Sequence, residues 1–149
     1  MKQLLILLLI ATSTVFAQKS DRDEWHKKIK ALKTAHITEE LQFSSKEAEK
    51  FWPVYNAYEE KMHQLHRTKK EQIYSKLKNG VDAMSTSEAN TLIDCEMQLE
   101  QRELQYRKEL ISELKKIISP AKIINLKKAE EDFKKELLKR YRERKRNKK

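Results

Sequence analysis

The chain predicts an all-α protein, and three observations carry that expectation. It holds one Gly and two Pro in 149 residues, too few turn formers to punctuate a sheet. Charged residues make up 38% and aromatics 7%, the balance of long helices rich in Glu, Lys, Leu and Gln. Apolar residues also recur at three- and four-residue spacing over stretches too long for strands.

The elements follow in order. Lys2 and the apolar run from Leu4 to Ala11, followed by Val15-Phe16-Ala17, have the pattern of a cleavable signal peptide over residues 1–17. The run is shorter than the roughly 20 residues that span a bilayer, so it predicts export rather than an anchor. No Cys follows it, so a lipoprotein is not indicated. The expected helical domain is 18–138. Its first helix is placed at Asp21 to His36, with Trp25, Ile29, Leu32 and His36 on one face, and a loop-like stretch from Ile37 to Ser44 follows. Ser44 with Glu47 forms a capping box that starts the second helix. Its stripe runs Ala48, Phe51, Tyr55, Tyr58, Met62, Leu65, Ile73 and Leu77, and Pro53 should bend it without ending it. Asn79-Gly80 is the stop, with Gly80 suited to a left-handed cap.

Ser85 with Glu88 repeats the capping box and opens a third helix, whose stripe is Leu92, Leu99, Tyr106, Leu110, Leu114 and Ile117. Ser119 as N-cap and Pro120 at the first helical position restart the chain. Ile123, Leu126, Phe133, Leu137 and Tyr141 mark the fourth helix, interrupted by Glu130 and Lys134 and therefore expected to be less buried. Residues 139–149 hold eight Lys or Arg against one Glu, and a run of like charge predicts a frayed basic tail.

Charge is uneven. The formal net charge is +10, and from Lys122 to Lys149 there are 13 basic and 5 acidic residues. From Thr86 to Ile118, 7 acidic residues face 5 basic ones. Arg140, Arg142, Arg144, Lys145 and Arg146 have the electrostatic footprint of a nucleic-acid binder. The export signal argues against that partner and points the same charge at anionic membrane surfaces or acidic clients. A single Cys cannot pair within the chain, and Cys95, at the border of a stripe, reads as a small buried hydrophobe rather than an intermolecular link.

The layout and its caps resemble the Spy/CpxP superfamily of periplasmic proteins, whose hallmark is a repeated Leu-Thr-x-x-Gln motif at helix starts. The matching stretches are Phe43-Ser44-Ser45-Lys46-Glu47 and Ile118-Ser119-Pro120-Ala121-Lys122, with Ser for Thr and Glu or Lys for Gln. The stretch from Phe51 to Lys61 is similar to small exported proteins labelled sensors of extracytoplasmic-function sigma factors. The resemblance implies a long antiparallel hairpin flanked by shorter helices, often a curved dimer. It also implies ATP-independent holding of unfolded envelope proteins, or docking on a membrane sensor or anti-sigma system.

Site expectations rest on a few residues. Phe51, Trp52, Tyr55, Tyr58 and Met62 form the candidate client-binding patch; Trp52, about 100° off Phe51 on the wheel, is its best surface member. For Phe51, Tyr55 and Tyr58 a core role competes with that reading. Glu59, His63 and His66 share one flank as weak zinc candidates, with His66 placed inside the stripe, but no dense Cys or His set completes a site, and no cofactor is expected. No phosphate loop, nucleophile elbow or His-Glu-x-x-His motif is present, which argues against an enzyme. The acidic pairs Glu96–Glu100 and Glu109–Glu113 are expected to be solvated surface residues.

Overall fold

The computed structural model describes residues 24–78, 80–81 and 84–147. The protein is all-α, with no strand among the described residues. Helix α1 covers 24–41. Helix α2 runs Ser45–Lys69, passes through one π turn at Lys70–Tyr74 and ends with Ser75–Lys78; α3 is Thr86–Leu114 and α4 is Pro120–Arg146. The expected signal peptide, 1–17, and the expected helix start at Asp21 lie outside the described residues. The chain divides into two compact units, Phe43–Ile124 and Met1–Gln42 with Asn125–Lys149.

The three hydroxyl caps stand where the sequence places them. Ser44 and Ser85 both sit in extended backbone and accept from the backbone N–H of Glu47 and Glu88, whose carboxylates bond back to the cap N–H groups. Ser119 Oγ accepts from the N–H of Lys122 at 3.3 Å, and Pro120 opens α4. Such caps satisfy donors that a helix start leaves orphaned, at about 1 kcal/mol each.

The unit Phe43–Ile124 is built on an antiparallel hairpin of α2 and α3. As α2 ascends its partners descend: Lys61 meets Glu109, Lys69 meets Glu100 and Glu96, and Gln72 meets Cys95. Between the helices, Met62, Leu65, Ile73 and Leu99 form a buried cluster against which Tyr58, Leu92, Cys95 and Tyr106 pack. Pro53 stands inside α2, and the helix continues through it.

The π turn was not foreseen from the sequence. The stripe through Phe51, Tyr55, Tyr58, Met62 and Leu65 next reaches Lys69, which cannot serve as core. One turn widens just beyond it, where the N–H of Ser75 bonds the Lys70 carbonyl, and Ile73, expected on the stripe, lies in the cluster. Leu77, expected on the same stripe, lies 41% exposed. Gly80 has φ of +102°, the left-handed conformation expected of it.

In the second unit α1 pairs with α4. His36 Nε2 donates to the carbonyl of Ala129 at 3.1 Å, its ring lies 5.7 Å from that of Phe133, and Ala129 is fully buried. The expected loop at Ile37 to Ser44 is a correction. Helix α1 runs to residue 41, and Ile37 and Leu41, one turn apart on a flank about 100° or more from the Trp25–His36 stripe, are both buried. Gln42, at φ of 45°, then ends it. The frayed tail expected from Lys139 is also corrected, since α4 continues to Arg146. Leu137 and Tyr141 keep the stripe in phase, Arg140 pairs with Glu136 one turn back, and cations suit the negative end of a helix.

Candidate functional site

The candidate patch on α2 is largely core. Phe51 and Tyr55 are buried and stacked, with ring centroids 5.2 Å apart and planes 15° from parallel, and Met62 belongs to the hairpin cluster. Tyr58 packs against that cluster. Trp52 is half-buried, edge-on to Phe51 at 5.0 Å and to Tyr55 at 5.8 Å, and Phe43 closes on Phe51 at 4.5 Å. Phe43, Phe51, Trp52 and Tyr55 thus pack on one another, and Phe51, Tyr55 and Met62 are corrected to structural residues. Only Trp52 and Tyr58 keep partial access.

Ion pairs cross between the helices of the unit Phe43–Ile124. Lys122 Nζ reaches both Glu47 oxygens, at 2.8 and 3.0 Å, and lies 5.6 Å from the Phe43 ring centroid. The hydrogen bond from Lys122, with those from the Ser44 backbone and hydroxyl, lowers the Glu47 carboxyl to about 2. One carboxylate therefore completes the α2 cap and ties it to the first turn of α4. Glu109, with Lys61 at 3.0 Å and Gln105 beside it, is also held below its usual value. Lys69 behaves differently: burial alone would lower it, but its bond to Glu96 and the charges of Glu96, Tyr74 and Glu100 leave it raised. The acidic pairs expected on the surface do lie there, with Glu100, Glu109 and Glu113 exposed and Glu96 half-buried, and three of the four also find a cation on α2. Glu96 and Glu100 share Lys69, and Glu109 takes Lys61, each from across the hairpin.

The metal candidates do not assemble. His63 and His66 are both exposed, so His66 is not on the stripe, because the stripe passes through Met62 and Leu65. Among the described residues no group of three His, Cys, Asp or Glu side chains is placed to hold an ion, and Glu59, His63 and His66 make no such set. Cys95 is half-buried with a free thiol, and its Sγ lies 3.1 Å from the Gln72 Oε1 that accepts from it.

What the sequence reading missed is a second apolar row on α3. Ile93, Met97 and Leu104 stand 58%, 53% and 52% exposed. At i, i+4 and i+11 they fall within about 40° of one another on the helix, roughly 120° from the Leu99–Leu110 face turned to α2. Ile111, five full turns after Ile93, continues the row half-buried. Near the hairpin tip Tyr74, Leu77 and Val81 are exposed as well. The signal is present as spacing, but it lies between charged residues beside the stronger Leu92–Ile117 stripe. Isolated exposed apolar residues mean little, but aligned ones on an otherwise charged helix are a candidate interaction surface.

Comparison of the chain with protein-family models, curated proteins and solved structures returned no match.

Proposed function

We propose that the chain is an exported, non-enzymatic binding protein of the chaperone type, which holds exposed apolar segments of unfolded envelope proteins without ATP. The observation that carries this reading is the exposed row of Ile93, Met97 and Leu104 on α3. The export pattern in residues 1–17 and the resemblance to periplasmic Spy/CpxP proteins support it.

Magnitude fits holding better than tight recognition. Fully covering a large apolar side chain is worth about 1.5–3 kcal/mol, and these three are about half exposed, so covering them contributes roughly 2–4 kcal/mol before ordering costs. A contact of that size captures clients weakly and releases them without an energy source. Specificity is correspondingly low, because apolar contact along one helix reads no particular sequence.

The test is suppression of aggregation of an unfolded client by stoichiometric amounts of the chain from Gln18 onward, beside an Ile93→Ser, Met97→Ser, Leu104→Ser variant. The proposal expects suppression by the parent and its loss in the variant, with helicity and melting temperature retained. No suppression by the parent overturns it. A dimer of the kind the resemblance implies is a second use for the same row. Sedimentation separates the two uses: a stable parent dimer that the triple variant dissolves, with client holding unaffected, assigns the row to a second copy. Capture of one dominant membrane protein from intact envelopes, in place of many transient clients, would favour docking on a sensor or anti-sigma system.

A further inference from the structure

The end of the α1–α4 pair carries a surface that client holding does not use. The start of α1 lies against the end of α4, and the two helices line an open groove there. Ile29, Leu32 and Leu137 supply its apolar lining, and Trp25 and Tyr141 stand at it 45% and 63% exposed. Lys28, Arg140 and Arg144 complete it. Arg140 pairs with Glu136, whereas Lys28 and Arg144 form no ion pair among the described residues.

We propose that this end of the α1–α4 pair docks on an anionic lipid bilayer, with Trp25 and Tyr141 at headgroup depth among Lys28, Arg140 and Arg144. Trp and Tyr have an apolar body and a polar tip, the combination that favours the membrane–water boundary. Half-exposed positions leave them free to enter it without unpacking the helix pair. Charge complementarity selects the lipid. From Lys139 to Arg146 there are six cations and one Glu, and Lys27, Lys28 and Lys30 stand against Glu24 in the described start of α1.

The breadth of that charge favours a surface over a peptide. Arg142 and Lys145 lie on the flank of α4 beside Leu138, itself 46% exposed, outside the groove. A short acidic peptide in the groove would leave them unused, while a headgroup layer engages them together. Among the described residues no helix is long and apolar enough to cross a membrane, so the mode is peripheral. The inference stands whether or not the α3 row holds clients.

The experiment uses the chain from Gln18 onward, since the apolar run at 4–11 would bind lipid by itself. A Trp52→Phe change leaves Trp25 as the one tryptophan. Vesicles of phosphatidylcholine and phosphatidylglycerol in equal parts are compared with phosphatidylcholine alone, by flotation and Trp25 emission. The expected result is flotation and a blue shift with the anionic vesicles only, both reversed by high salt. An Arg140→Gln, Arg144→Gln variant should lose about 25-fold in partitioning, near fivefold per cation, and Trp25→Ala, Tyr141→Ala should also weaken it, with helicity unchanged by circular dichroism. Arg142→Gln, Lys145→Gln serves if the first pair disturbs folding, because neither residue lines the groove. Absence of flotation, equal binding to both vesicles, or binding with unmoved Trp25 emission overturns the proposal. So does retention of a soluble acidic, apolar peptide with no vesicle binding.

Discussion

Replacing Phe51 by Ala separates the two uses its sequence position allowed. The side chain is fully buried, stacked on Tyr55 and in contact with the rings of Phe43 and Trp52. Truncating a buried Phe removes transfer energy and leaves a cavity, about 3–5 kcal/mol together, and the lost aromatic pairs add about 1 kcal/mol. Trp52 is half-exposed and can settle partly into the gap, which argues for the lower half of that range. For a protein of this size such a loss lowers the melting temperature by roughly 10–20 °C and consumes a large share of a typical 5–15 kcal/mol of stability. Thermal and urea unfolding followed by far-ultraviolet circular dichroism measure it, and Phe51→Leu should cost under half as much. A Phe51→Ala protein that melted within about 2 °C of the parent while losing client retention would refute the core assignment.

Two further predictions follow from the backbone and the charges. Gly80→Ala should destabilise by about 1–2 kcal/mol, because no atom stands within 4 Å of the added Cβ and the cost is that of left-handed backbone alone. Gly80→Asn should cost less, and stabilisation by Ala in urea titrations would contradict the assigned φ. Glu47 is depressed from 4.5 to about 2, so its stabilising effect is fully present above pH 4.5 and is lost as pH falls through about 2. Glu47→Gln should therefore lower stability at neutral pH and flatten the acid limb of a melting-temperature profile in that window. An unchanged acid limb would show that the bond to Lys122 does not survive in solution.

Local chemistry was the most legible part of this fold. Ser44, Ser85, Ser119 and Gly80 announce their roles because a cap or a left-handed turn needs only its own few residues. Boundaries that depend on packing were not legible. Ile37 and Leu41 look like part of a polar loop beside Thr38, Glu39 and Glu40, and burial alone makes them helix. The π turn was equally hidden: Lys69 sits where the stripe calls for an apolar residue, and the widened turn just after it has no signal in the spacing, which already places Ile73 on the stripe. For the site, helical periodicity could say that Phe51, Tyr55 and Tyr58 share a face but not that the face was covered. The row on α3 had the converse problem, because its spacing was readable and its exposure was not. For the basic run, composition reports charge but not the Leu137–Tyr141 stripe that continues into its helical part.

The most direct test of the account is to ask where a client touches the protein. A photo-crosslinking amino acid is placed in turn at Met97, Leu104 and Trp52, and each protein is irradiated with an unfolded client at equal concentration. The account predicts strong adducts from Met97 and Leu104 and little from Trp52, since the first two stand on the open face of α3 and the third packs among Phe43, Phe51 and Tyr55. Adducts concentrated at Trp52, with Met97 and Leu104 silent, would contradict it.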